Sequence, residues 1–274
     1  MLKSPLNYAG SKHKLMPQLL KYFPNKESVN CFYDVFMGGL SVSINSEYET
    51  VISNDIIKPL VNFYQIIKDC QDIDAEVGKI QSYAVDKTSQ EDFLRVREEF
   101  NKTGEDPYLF FALVCSCTNN MMRFNRSFKF NQSFGRRTIN DNTIQKIRDY
   151  YQVIKSKDIN FTNLHYRKLF ETYVPSNDDF IYLDPPYVSA LTEAGYNSYW
   201  TKQDEEYLYD LLDNFDSQGI RFAMSNVSVH KGIENPYMNR LSKYNIINLD
   251  HSYEGVARVK NVGESQEILV INYQ

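Results

Sequence analysis

The sequence predicts an α/β fold: a sheet domain built from both ends of the chain, interrupted once by a helical segment with a basic tip. Three observations predict it. Strand-like runs alternate with helical stretches from Cys31 to Lys68, and again from Ile159 to the end of the sequence. Residues 72–118 between them read as helix throughout. Beyond those helices positive charge gathers. Between Asn120 and Arg148, Arg123, Arg126, Lys129, Arg136, Arg137, Lys146 and Arg148 stand against Asp141 alone. The expected division is a domain of residues 1–69 and 157–274, with residues 70–156 inserted as a separate subdomain.

Each element has its own signal. Cys31–Phe36 (CFYDVF) is rich in aromatic and β-branched residues and ends at Gly38 and Gly39, so it reads as a strand with a helix starting near Leu40. Val51–Asn54 is a second strand, ended by Asp55 and followed by an apolar-periodic helix from Ile57 to Lys68. Asp72–Tyr83, a stretch beginning at Glu91 (EDFLRVREEFNK) and Pro107–Cys117 are the inserted helices. Residues 121–137 (MMRFNRSFKFNQSFGRR) alternate aromatic and polar side chains as a short hairpin does. The alternation then resumes with a helix over 141–156, strands at Ile159–Phe161 and Phe180–Leu183, and a helix over Asp204–Phe215. A strand at Ile220–Ser225 and strands near 245–249 and 266–272 complete it.

Composition narrows the function classes. A chain of 274 residues, 42% hydrophobic and 24% charged, can bury a large core and has the make-up of a globular protein. Its longest apolar runs, such as Leu109–Cys115, fall short of the roughly 20 residues that span a bilayer. The opening MLKSPLNYAGSK lacks the apolar stretch of a secretory signal, so the cytoplasm is the expected location. Cys31, Cys70, Cys115 and Cys117 form no CxxC pair and the four histidines are scattered singly; no metal site is expected, and the cysteines read as reduced thiols. The net charge of -5 excludes a wholly basic nucleic-acid binder, which leaves the 120–148 segment as the local exception.

Two motifs carry chemistry. In DVFMGGLSV (Asp34–Val42) a strand feeds two glycines and then a helix, so backbone N–H groups can approach a ligand closely. Asp55, at the end of the next strand, is placed to accept hydrogen bonds from both ribose hydroxyls of a nucleoside. The competing readings are a tight structural turn for the glycines and a helix cap for Asp55. Together they favour a nucleoside cofactor without distinguishing a nicotinamide from a sulfonium one. FIYLDPPY (Phe180–Tyr187) makes that distinction. Asp184 offers a carboxylate at the C-terminal end of a strand, and Pro185 and Pro186 have no N–H, so the carbonyls beside them are not tied into a ladder. An exocyclic amine held by Asp184 and such a carbonyl has both N–H bonds committed, which turns its lone pair toward an electrophile. Tyr187 can stack on the same ring, worth roughly 1–3 kcal/mol for a nucleobase. The arrangement suits methylation of an amino group on a planar heterocycle.

The sequence resembles the Dam-like class of DNA adenine-N6 methyltransferases, and its phage-encoded members closely. The resemblance lies in NYAGSKHKL, DVFMGGLSVS, SNDI, EEFNKTGEDP, NNMMRFN, FGRRTIN, DPPY, and YNSYW with its following DEE. It also lies in their order, with the glycine motif before the basic insertion and DPPY after it. It implies a Rossmann-like methyltransferase fold, S-adenosylmethionine as methyl donor, and double-stranded DNA with a flipped-out adenine as substrate. The inserted subdomain would be the target-recognition element. By position, Tyr8 and Lys12 match the motif against the cofactor, Phe36, Gly38 and Gly39 its methionine side, Asp55 its ribose, and Tyr166 a place near its adenine. A core tyrosine is the other reading of Tyr166. Asp184, Pro185, Pro186 and Tyr187 would hold the target base, with Asp184 also facing the cofactor. Arg123 matches a guanine-reading arginine, Asn119 and Met121 its DNA-contacting neighbours, and Arg126 and Arg137 basic contacts; a solvated face is the alternative for these arginines. Thr118 stands where relatives carry an aromatic wedge, and Ser133 where GATC-specific relatives carry proline. The resemblance therefore implies GATC or a relaxed relative of it. Methylation of another amino base, or a non-catalytic DNA-binding relative, are the other readings.

Overall fold

The computed structural model describes residues 1–6, 10–125, 127–187, 200–230, 232–250 and 265–274. In chain order the elements are α1 (Met16–Leu19), β1 (Phe32–Asp34), α2 (Ser41–Asn45), β2 (Thr50–Asn54), α3 (Lys58–Asp69), α4 (Ile73–Ser82), α5 (Gln90–Thr103) and α6 (Pro107–Ser116). They continue with α7 (Asp141–Ser156), β3 (Asp158–Thr162), α8 (Tyr166–Thr172), β4 (Phe180–Leu183), α9 (Lys202–Ser217), β5 (Arg221–His230), β6 (Ile233–Glu234), α10 (Met238–Leu241), β7 (Asn245–Leu249) and β8 (Gln266–Ile271). The class is α/β with mainly parallel strand pairing, as the alternation predicts. The chain forms two compact units, Met1–Lys14 with Phe36–Tyr173, and Leu15–Val35 with Val174–Gln274. The helices of the inserted segment thus fall in the unit that holds the glycine turn.

In the first unit β2 and β3 pair in parallel from Thr50↔Asp158 to Asn54↔Thr162. Helix α3 buries Leu60, Phe63, Tyr64 and Ile67, the i, i+3, i+4, i+7 stripe of a one-sided helix. Helix α6 is apolar all round and is buried from Phe110 to Ser116. The two meet where Phe63 and Phe111 stack with centroids 4.2 Å apart and planes 5° from parallel, worth about 0.5–1.5 kcal/mol beyond burial. The start of α6 is written locally: the Asp106 carboxylate accepts the N–H groups of Tyr108 and Leu109, and Pro107 opens the first turn. Helix α7 is capped by Asn140 and buries Ile144, Ile147, Tyr150 and Ile154.

In the second unit β1, β4 and β5 run parallel, and β8 and β7 continue the sheet antiparallel in the order β1-β4-β5-β8-β7, with β6 pairing β5. All four residues of β4 are buried, which is why FIYL is an unbroken apolar run instead of an alternating one. Leu208, Leu212 and Phe215 of α9 are buried, and Thr201 and Asp204 form a reciprocal capping box at its start. Strand β5 runs on to His230, past the expected end at Ser225, because β8 pairs it as far as Val229 across a bulge. The expected hairpin at 121–137 has no continuous ladder among its described residues. Two isolated antiparallel bridges, Cys117↔Phe134 and Phe124↔Phe130, close it as a loop. Among the described residues no helix is long and apolar enough to cross a membrane.

Candidate active site and nucleic-acid interface

In the first unit, the glycine turn is assembled around the end of β2. The Met37 N–H donates to the Asn54 carbonyl at 2.8 Å, and the Leu40 N–H closes on the Met37 carbonyl at 2.7 Å. Gly38 has φ 45° and Leu40 φ 60°. This left-handed region costs a residue with a Cβ roughly 1–2 kcal/mol. Glycine meets it at position 38 without strain, and Leu40 is held there by complete burial. Asp55 fixes the other side. Its Oδ2 accepts the Gly38 N–H at 3.0 Å and its Oδ1 the Ile57 N–H at 2.9 Å. The first residue flanking α3 is Ile57, so Asp55 is not the helix cap; it ties the glycine turn to the entry of α3. Burial pushes the carboxyl up from 3.8 to about 6, against the pull of N–H groups from Ile57, Gly38 and Ile56. No cation is among those influences. A buried carboxylate balanced only by neutral N–H donors still has acceptor capacity, and a pair of hydroxyls suits it.

The other residues expected beside a cofactor cluster at the same turn. Phe36 and Tyr166 are in ring contact at 5.8 Å, and Tyr166 is buried at the start of α8. His165 caps that helix and lies 4.8 Å from the Tyr166 ring. Lys12 is buried and donates to the Gly10 carbonyl at 3.1 Å. The Ser11 and Ser41 hydroxyls meet at 3.0 Å, which ties the N-terminal motif to α2, directly after the glycines. Tyr150 donates to the Gly39 carbonyl at 3.4 Å. Tyr8 lies outside the described residues.

In the second unit, the β4 ladder stops where the prolines begin. The last paired residues are Tyr182 with β1 and Leu183 with β5. Asp184–Tyr187 therefore stand at the C-terminal edge of three parallel strands. The Tyr187 hydroxyl donates to Asp184 Oδ1 at 3.0 Å, a bond not foreseen from the sequence. It fixes both the carboxylate and the ring of the residue expected to stack. Burial, the Asp184 charge and the Glu267 charge hold the Tyr187 hydroxyl protonated, well above its ordinary range.

The residues expected to touch DNA, apart from Arg126, which lies outside the described residues, share one loop of the first unit. Helix α6 leads into Asn119 and Asn120, both left-handed at φ 57° and 53°. Asn120 is buried, donates to the Val114 and Cys115 carbonyls at the end of α6, and accepts from Arg137 Nη1 at 2.6 Å. Arg123, Asn119 and Ser133 are exposed and Met121 is half-buried. Thr118 and Ser133 are not independent. Their hydroxyls meet at 2.9 Å, and the Thr118 N–H also donates to the Ser133 carbonyl at 2.9 Å. Gly135 permits this approach, since a Cβ there would lie 2.3 Å from the Cys117 carbonyl oxygen. Arg148 is engaged elsewhere, donating through Nε and Nη2 to Asp74.

Residues 8–255 match the D12 class of N6 adenine-specific DNA methyltransferases. The chain belongs to that family. It is 34% identical to the type II methyltransferase M.FokI of Planomicrobium okeanokoites over 99% of this chain and 43% of that protein. It is 33% identical to the modification methylase StsI of Streptococcus sanguinis over 100% and 43%. It is 30% identical to a DNA adenine methylase of Serratia marcescens over 72% and 71%. The chain thus spans less than half the length of the first two relatives. For a D12 methyltransferase, the functional details that the residues alone did not reveal are the hydrogen bonds that join its site residues to one another. The Thr118–Ser133 bond, the Asn120 bridge and the Asp184–Tyr187 bond each join positions whose separate signals were legible. The single Gly135 in FGRR was the one sequence cue to the close approach.

Proposed function

We propose that this chain transfers a methyl group from S-adenosylmethionine to N6 of adenine at a specific site in double-stranded DNA. One observation carries the reading: in a member of the D12 family, β4 ends in Asp184-Pro185-Pro186-Tyr187 at the C-terminal edge of parallel strands, where open α/β sheets present ligand groups. S-adenosylmethionine supplies an electrophilic sulfonium methyl. Asp55 would hold its ribose hydroxyls, Gly38 and Gly39 would leave room for its amino-acid end, and Lys12, Phe36 and Tyr166 would flank it, with Tyr8 from the same N-terminal motif. Asp184 and a proline-side carbonyl would accept the two N–H bonds of the target amine and leave its lone pair exposed. The hydrogen bond from Tyr187 orients that carboxylate for the task, and the Tyr187 ring would stack on the base. These groups act on an amine that a paired base does not present, so the adenine must leave the helix.

Residues 70–156 would form the recognition subdomain, with Arg123 reading a guanine and Asn119, Met121, Arg126, Ser133 and Arg137 around it. GATC or a relaxed relative is the proposed site. The names of the relatives fit a modification role, and a DNA substrate fits a cytoplasmic enzyme. The test is incubation with methyl-labelled S-adenosylmethionine and duplex DNA, followed by mass analysis of the nucleosides. N6-methyladenine is the expected product. Label appearing only in N4-methylcytosine, or only with RNA, would refute the assignment.

A further inference from the structure

The first unit contains a cleft of about 450 Å³ in whose lining Arg137 alone has been given a role above. Its lining includes Lys87, Asn120, Arg137, Asn140, Thr143 and Lys146, and no carboxylate lines it. The acids adjacent to lining residues in sequence, Asp86 and Asp141, are exposed and are not part of the wall. None of the three cations forms an ion pair among the described residues, although Lys87 and its exposed sequence neighbour Asp86 attract each other. Among the described residues neither Lys87 nor Lys146 has a hydrogen bond or ion pair, and Arg137 has only its Nη1 bond to Asn120. The contrast with other basic residues is plain: Arg148 is paired with Asp74, Lys58 with Glu105 and Lys102 with Glu99. Lys146 is half-buried; burial first, then the charge of Lys3, makes its ammonium easier to deprotonate. Lys87 and Arg137 are exposed and Lys146 is half-buried, so three positive charges line one recess without a carboxylate in its wall, a lining that suits an anion.

The polar lining points the same way. Asn120 cannot reorient, because its amide is committed to two carbonyls and to Arg137. It holds the guanidinium in place, and the remaining N–H groups of Arg137 form a planar donor fork suited to phosphate oxygens. A thiol-based function for the cleft fails: burial pushes the Cys115 thiol far up, so no thiolate forms there.

We propose that this cleft is a phosphate-binding site, with Lys87, Arg137 and Lys146 as its cationic ligands. Its occupant is a phosphodiester of the DNA strand. It would seat the duplex backbone at a fixed point against the base of the recognition loop, independently of sequence. The identification of the source rests on the proposed DNA substrate; the phosphate chemistry does not.

The test measures two ligands on Lys87→Ala, Lys146→Met and wild type, with Lys102→Ala as control for loss of an exposed, paired lysine. Lys146→Met keeps the aliphatic stem and guards against a packing loss, and thermal melting verifies folding. First, fluorescence anisotropy follows binding of a labelled duplex across a salt series. Each cleft variant should lose about 0.9 from the magnitude of the log–log salt slope, the value for one phosphate contact, while Lys102→Ala stays at the wild-type slope. Second, the ³¹P line width of inorganic phosphate is titrated with each protein. Broadening by wild type that falls in the cleft variants, with no change in duplex slope, supports the phosphate site but assigns it to a free phosphate ligand. Wild-type slopes in both cleft variants together with no phosphate broadening overturn the proposal. If wild type binds no duplex at all, the DNA reading fails, and the phosphate titration alone decides the cleft.

Discussion

Asp55→Asn separates the stability of the glycine turn from its use. The folded protein keeps a proton on Asp55 up to about pH 6, whereas the unfolded chain releases it near the ordinary value of 3.8. Between those values the folded state holds more protons than the unfolded one, so Asp55 makes stability fall as pH rises, and the loss is complete above the folded value. At about 1.36 kcal/mol per pH unit the effect reaches at most about 3 kcal/mol. Asparagine cannot ionise and removes this slope. It also turns an N–H₂ toward either Gly38 or Ile57, a pH-independent cost of about 1–3 kcal/mol. The measurement is urea unfolding of both proteins from pH 4 to pH 8. The stability difference should move in favour of Asp55→Asn by up to about 3 kcal/mol between pH 4 and pH 7, then stay level. Calorimetric titration with S-adenosylhomocysteine at pH 8 should show binding weaker by at least about tenfold, since hydroxyl bonds to a charged acceptor are worth about 1.5–3 kcal/mol each. A pH-independent stability difference would refute the buried-carboxylate argument, and wild-type cofactor affinity would remove Asp55 from the ribose.

Asp184→Ala should abolish methylation while cofactor and duplex binding persist, read by label incorporation beside calorimetry and anisotropy; near wild-type turnover would sink the assignment. Tyr187→Phe keeps the ring and removes only the 3.0 Å bond to Asp184, so single-turnover rates should drop about 10- to 100-fold, as expected for a hydrogen bond to a charged group. Arg123→Ala should relax discrimination at one guanine next to the methylated adenine by about 1–3 kcal/mol, measured on duplexes differing by one base pair; indifference to every guanine would end that role. Phe128→Gly should raise stability by about 1 kcal/mol, because Phe128 sits at φ 58°, while weakening duplex binding through loss of an exposed aromatic. Unchanged duplex affinity would make Phe128 a bystander.

Most of the fold was legible because its elements announce themselves locally. Phe180–Leu183 is the observed β4 to the residue, and α7 spans the expected 141–156. The short elements α1, α8, α10 and β6 were not, since four to seven residues of helix, or two of strand, carry too little periodicity to stand out. Site residues were legible by type. Asp55 signalled an acid after a strand, but its bond to Gly38 spans 17 positions and has no local signature. The 121–137 segment meets the hairpin expectation in part, with isolated antiparallel bridges in place of a continuous ladder. Phe124 and Phe130 pair across its antiparallel bridge in an edge-to-face contact, and Phe124, Phe130 and Phe134 also pack onto the helix rings of Phe110, Phe100 and Phe93.

That packing explains what the loop can do. Three phenylalanines, with hydrogen bonds to Arg97 and Asn101, anchor it to α5 and α6. Backbone bonds from the Asn125 N–H to the Lys129 carbonyl and from the Asn131 N–H to the Arg123 carbonyl tie its two arms together. The fourth, Phe128, is 56% exposed at a turn held by the Asn125 side chain, which accepts the N–H groups of Ser127 and Lys129. Phe128 thus places a bulky side chain in the left-handed region at an exposed tip. Strain of this kind persists when the surroundings enforce it, and it gathers at functional sites. Four of the five non-glycine residues with positive φ among the described residues, Asn119, Asn120, Phe128 and Arg136, lie in this one loop. Thr118 cannot serve as a wedge while its hydroxyl and N–H are both bonded to Ser133. The two positions that depart from the GATC pattern therefore depart together, as one bonded pair, and under the proposed base flipping another side chain would have to fill the gap that the adenine leaves. Phe128→Gly tests whether the exposed phenylalanine of this loop would be that side chain.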